Sequence, residues 1–184
     1  MYKTIVVHVD QTERAAQRID VAARLANKYE AHLVGTAMTG LSPYVFPIGG
    51  FDIAPPPTPF ALEELRAQAN KALDTFDARA RNAGVESFEH RRIDDEPGLG
   101  LSMQSRYCDL VVIGQIDQDE FLPRLRSDFP EFVLLNSIAP VLVVPAAGVH
   151  GELGKKVTVA WNGSPNAARA VMSAIPVLKG AEQM

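Results

Sequence analysis

Apolar residues along this chain recur with two periods, and the two periods alternate. Residues 5–9, Ile-Val-Val-His-Val, form a short β-branched run of the kind covered on both faces of a parallel sheet, closed by Asp10. Ala15, Ala16, Ile19, Ala22, Ala23 and Ala26 then recur at spacings of three and four, with Glu13, Arg14 and Arg18 on the other side and Thr12 as the expected N-cap. Residues 31–38 predict a second strand. Strand, helix, strand is the crossover unit of α/β proteins.

Residues 39–59 break the rhythm with six prolines and adjacent glycines, a loop long enough to suggest a lid, a binding loop or an insertion. Tyr44, Phe46 and Phe51 give it apolar surface. Helical spacing returns with Leu62, Leu65, Ala69, Ala72, Leu73, Phe76 and Ala80, and Gly84 stands where a C-terminal glycine belongs. Residues 85–93 predict a polar third strand, and Asp94-Asp95-Glu96-Pro97 predicts a short helix with acids at its positive end. Residues 109–114 give the clearest strand. Residues 124–136 predict a helix that Pro130 kinks or restricts to a start near Glu131, and 141–144 predict a fifth strand between Pro140 and Pro145.

The chain then begins again. Val157-Thr158-Val159-Ala160-Trp161-Asn162 and the Ser164-Pro165 helix start reproduce the opening at an offset of 152, which places Val159 on Val7, Asn162 on Asp10 and Ser164 on Thr12. One strand and one helix cannot bury enough surface to stand alone. The expectation is that this unit pairs with a strand edge, in the same chain or a second one, with Trp161 buried and Pro176 and Gly180 closing the helix. The fold class is therefore α/β, a doubly wound five-stranded parallel sheet with helices on both faces, plus an extra strand-helix unit.

Composition narrows the function. A formal charge of -4 over 184 residues provides no basic field for nucleic acid, and no apolar stretch reaches the length of a membrane span. The single cysteine, Cys108, excludes an internal disulfide and suggests a cytoplasmic protein. The four histidines show no metal-ligand spacing, and Gly98-Leu99-Gly100 lacks the third glycine of a dinucleotide fingerprint and reads as a helix entry. Asp117 with Asp119, and Asp94 to Glu96, read as solvated loop acids, so no metal is expected. No serine or cysteine has an evident catalytic histidine partner. Residues 11–14, Gln-Thr-Glu-Arg, lack the glycine- and serine-rich loop of an adenylate-forming enzyme.

Three motifs in order, the first strand ending in Asp10, the run Cys108-Asp109-Leu110-Val111-Val112-Ile113-Gly114, and Ser137-Ile138-Ala139-Pro140-Val141-Leu142-Val143-Val144, resemble the universal stress protein family. The resemblance implies a domain over 1–147, a linker over 148–154 and, in 155–184, the truncated start of a second domain, as in tandem members. Nucleotide-binding members carry a glycine loop after the fourth strand. Here only Gly114 matches it, the later positions falling on Asp117, Ser127 and Asp128, with Asp119 and Glu120 between. Bulk and negative charge there oppose a polyphosphate. Asp10, Ile113, Gly114 and Ser127 are the candidate residues of a degenerate nucleotide site, with Asp10 at the adenosine position and His8 beside it on the same side of the strand. The expected function is a non-catalytic universal stress protein acting through protein association, without a cofactor, as a homodimer or with a tandem domain through the fifth strand. The alternative is an ATP-binding switch or slow ATPase that uses Asp10 and Gly114.

Overall fold

The computed structural model describes residues 1–40, 58–116, 128–149 and 151–184. Five parallel strands form one sheet: β1 (Thr4–His8), β2 (His32–Met38), β3 (Phe88–Ile93), β4 (Leu110–Gly114) and β5 (Val141–Val144), in the order β3-β2-β1-β4-β5. The first helices, α1 (Ala15–Tyr29) and α2 (Pro59–Asn82), cover one face, and α3 (Pro97–Gln104) and α4 (Phe129–Asn136) cover the other. Side chains of β1 divide accordingly: Ile5 and Val7 pack with Ile19, Leu73 and Phe76, while Val6 packs with Leu101, Phe129 and Val133. Strand order reverses at β1, so the switch point lies between the carboxyl ends of β1 and β4.

Local chemistry accounts for the element ends. Thr58 caps α2 by accepting from the Ala61 N–H, and Pro59 follows at the first helical position. Gly84, with φ of 70°, ends the same helix and returns its N–H to the Arg81 carbonyl. Glu96 caps α3 through the Leu99 N–H at 2.9 Å, with Pro97 next. Asp109 holds the start of β1, its Oδ2 accepting from the N–H groups of Lys3 and Thr4 at 2.7 and 2.9 Å.

Several expectations are corrected. The third strand starts at Phe88 and not at 85, because the chain first closes α2 through the Val85 N–H to the Ala80 carbonyl. Helix α4 starts at Phe129 and takes Pro130 into its first turn, where a missing N–H costs nothing. Thr12 does not cap α1: the cap position is Arg14, which makes no side-chain capping bond, and the Thr12 hydroxyl donates to Asp10 instead.

The largest departure is at the C-terminus. Helix α5 (Pro165–Leu178) forms, capped by Ser164, and runs through Pro176, ending two residues beyond it. The stretch 157–162 joins no strand edge of its own chain, where Trp161 is 62% exposed, so of the two expected pairings only that with a second chain is left. Its neighbour is the C-terminus, through an isolated bridge between Lys156 and Gln183. Among the described residues neither rim strand, β3 or β5, takes this stretch as a neighbour, and helix α5 is anchored instead on the side of Tyr2 and Tyr29.

Candidate functional site

The switch point brings His8, Asp10, Ile113 and Gly114 together, as the strand pattern requires. Ser127 lies outside the described residues, as do Asp117, Asp119, Glu120, His150 and the aromatic residues of the proline-rich loop. The site also contains Arg18, which the sequence reading placed on the outer side of α1. Its position was legible, since 18 is three residues after Ala15 and four before Ala22, both on the inner face.

Arg18 is buried and fills the crevice between β1 and β4. Its Nε donates to the His8 carbonyl at 2.6 Å. Its Nη2 stands 2.9 Å from Asp10 Oδ2, an ion pair lying off the direction of a hydrogen bond. Its Nη1 lies 2.6 Å from where a Cβ on Gly114 would stand, so a side chain at 114 would require the guanidinium to shift. The other oxygen of Asp10, Oδ1, accepts from the N–H and hydroxyl of Thr12 at 3.0 and 2.6 Å, an Asx turn that leads the chain into α1. Both carboxylate oxygens are thus engaged within the protein.

The charges follow from this packing. Burial alone would raise the pKa of Asp10, but Arg18, His8 and the Thr12 hydrogen bonds outweigh it and hold the carboxyl down to about 2. His8 moves the other way: burial lowers it to about 4, Asp10 opposes this and Arg18 adds to it. The imidazole is therefore neutral at pH 7. It stacks at 5.1 Å on Phe129, and its Nδ1, 3.5 Å from Asp10 Oδ2, has no hydrogen-bond partner. The core-histidine reading holds for its burial, although its polar edge is left unsatisfied.

Beside the crevice, a cleft of about 420 Å³ opens at the carboxyl ends of β1 and β2, against α2. Its lining includes His8, Asp10, Gln11, Thr39 and Gln68 over a floor of small apolar residues, with the Gln11 amide donating to the Gln68 carbonyl at 2.8 Å. Among the described residues neither Lys nor Arg lines it. A wider hollow of about 730 Å³ on the outer surface between α1 and α2 has Asp20, Lys71, Asp74 and Arg79 around it and lies away from the strand ends.

The remaining candidates take structural roles. Asp94 pairs with Arg66 at 2.6 Å, Asp95 accepts from the Glu96 N–H, and Glu96 caps α3. Among the described residues no group of three His, Cys, Asp or Glu could hold a metal, and no helix is long and apolar enough to cross a membrane. Cys108 is half-buried, and burial pushes its thiol up to about 11, far from a reactive thiolate.

At the candidate nucleotide position, Asp10 Oδ1 already accepts two hydrogen bonds from Thr12, Oδ2 faces Arg18, and the Arg18 guanidinium stands beside Gly114.

Known proteins share the architecture. A universal stress protein solved in complex with cAMP aligns at 23% identity and a TM-score of 0.57, covering 78% of this chain and 97% of that one. The universal stress protein of Archaeoglobus fulgidus in complex with dAMP aligns at 19% identity and a TM-score of 0.54, over 77% and 97%. A further universal stress protein from Archaeoglobus fulgidus DSM 4304 aligns at 17% identity and a TM-score of 0.70, over 96% of this chain and 63% of that one. No curated protein matches the chain. These likenesses show the fold. The family model for universal stress proteins matches residues 1–145, the whole of the five-stranded sheet and its helices, and the chain belongs to the universal stress protein family.

Proposed function

We propose that this chain is a non-catalytic universal stress protein that acts in the cytoplasm through protein association and binds no ATP. The observation that carries this reading is the Arg18 guanidinium seated against Gly114 and Asp10. In a glycine loop, the first glycine leaves room for phosphate oxygens at backbone N–H groups. Here a cation from the chain itself, paired with Asp10, stands beside Gly114. The sequence supports the same conclusion, since the later loop positions hold Asp117, Ser127 and Asp128. Among the described residues no side chain around the crevice pairs a nucleophile with a base.

Association through β5 follows from the edge it offers. Val141, Leu142 and Val143 are half-exposed on an outer strand with no charge, a template for another strand. A second copy meeting it across a two-fold axis satisfies both edges, and a tandem domain would do the same.

The second reading, an ATP-binding switch or slow ATPase, draws on the cleft beside Asp10 and on the cAMP and dAMP complexes of two structural neighbours. Calorimetric titration with Mg-ATP separates the two. The expected result is no binding heat in the micromolar range; a Kd near roughly 1 μM, about 8 kcal/mol of binding free energy, overturns the reading. Light scattering should return twice the chain mass at micromolar protein concentration, and a monomer alone would remove the association through β5.

A further inference from the structure

We propose that residues 155–184 form an arm that opens from the domain as one unit and is held shut by the phenolic hydroxyls of Tyr2 and Tyr29. The inference is independent of whether the crevice takes a nucleotide.

The arm is tied to itself first. Its two ends meet through the Glu182 N–H to the Lys155 carbonyl at 2.8 Å, the Val157 N–H to the Gln183 carbonyl at 3.0 Å, and the Lys155–Glu182 ion pair at 2.6 Å. Helix α5 spans the space between, with its own N-cap at Ser164. These bonds stay made when the arm leaves the domain, so motion at one end carries the other.

Its hold on the domain is slight by contrast. None of the 14 residues of α5 is fully buried, and no strand ladder joins the arm to the sheet. Val177 alone in the helix packs against the main core, with Val149 and Leu153 of the linker. Among the described residues two side-chain hydrogen bonds do the fastening: Tyr2 donates to the Ser173 carbonyl at 2.8 Å and Tyr29 to the Pro176 carbonyl at 3.1 Å. The two rings meet edge to face at 5.2 Å, Tyr2 just ahead of β1 and Tyr29 as the last residue of α1. Both are buried residues of the rigid core, so the fastening points cannot follow the arm outward. A unit with strong internal ties, little buried apolar surface and two fastening bonds is expected to open at a free energy far below that of the whole fold. Opening uncovers the Tyr2–Tyr29 ledge.

Hydrogen exchange on the full chain, read by mass spectrometry, tests this. Amides of α5 should share one opening rate, far faster than those of β1 and β4. Tyr2→Phe and Tyr29→Phe keep the rings and remove the hydroxyls. Each should speed α5 exchange about fivefold, and the double variant about twenty-fivefold, while β4 is unchanged. Val177→Ala leaves both tyrosines intact and should also speed α5 exchange alone, which decides the matter if the tyrosine variants disturb the core. The arm is refuted if α5 is as protected as β4, or if both the double tyrosine variant and Val177→Ala leave α5 exchange where it was.

Discussion

The chain contains the same short text twice, and the two copies have different fates. Val7 and Val9 at the end of β1 are 0% and 1% exposed, whereas Val159 and Trp161 at the matching places are 37% and 62% exposed. Yet the turn after each is the same. Asp10 Oδ1 accepts from the Thr12 N–H at 3.0 Å, and Asn162 Oδ1 accepts from the Ser164 N–H at 3.0 Å. A helix follows each turn, α1 or α5. The Asx turn and the helix need only their own residues, so both copies form them. A strand needs neighbours, and only the first copy has β2 and β4 on either side. The acid differs as well: Asp10 faces Arg18, while Asn162 carries no charge and the matching position, Ala170, supplies no cation.

The contrast can be broken most sharply at Arg18. Arg18→Met leaves the Asp10 carboxylate without its cation and should cost about 3 to 5 kcal/mol in urea unfolding, as removal of one partner from a buried pair does. The variant should also become more sensitive to acid. In the wild type, His8 binds its proton more weakly when folded, so stability falls as pH drops from about 6.5 toward about 4. Asp10, held down, contributes stability above about 3.8 that is lost as pH falls through about 2. Without Arg18 that lower limb should move upward in pH. An unchanged acid limb would mean that Arg18 does not set the charge of Asp10. A smaller effect separates the copies directly. Val7→Ala should destabilise by roughly 2 kcal/mol through the cavity it leaves between β1 and α1, and Val159→Ala by under about 0.5. Equal losses would place the second copy in a packed environment after all.

What the sequence made legible divides along the same line. The alternation of apolar runs and helical spacings located every strand of the sheet: β1, β2 and β4 are buried apolar runs, while the half-exposed rim strands β3 and β5 were marked by the helix end and the prolines beside them. Asp10, Ile113 and Gly114 were placed at one point by the rule that crevices form where strand order reverses. Arg18 was misread because arginine is rarely buried, and the prior on residue type outweighed its place on the Ala15–Ile19–Ala22 face. Trp161 was expected inside for the converse reason: an aromatic residue on an alternating run predicts burial, but burial depends on a partner strand that periodicity cannot supply. The attachment by Tyr2 and Tyr29 spans 171 and 147 residues of chain and has no local signature at all.

The two rims of the sheet are unlike, and this limits how large an assembly can grow. The β3 rim presents Glu89, His90, Arg91 and Arg92, occupied with one another and with Asp77, Asn70 and Gln104. A strand approaching there would have to strip water and partners from several charges to reach the backbone, while β5 asks nothing of the kind. A subunit with one adhesive rim has a valence of one. If two such subunits meet at β5 as proposed, both outward rims of the joined sheet are β3, so the charge on a strand remote from the contact would stop growth at a pair and keep a rise in concentration from turning the pair into a fibre.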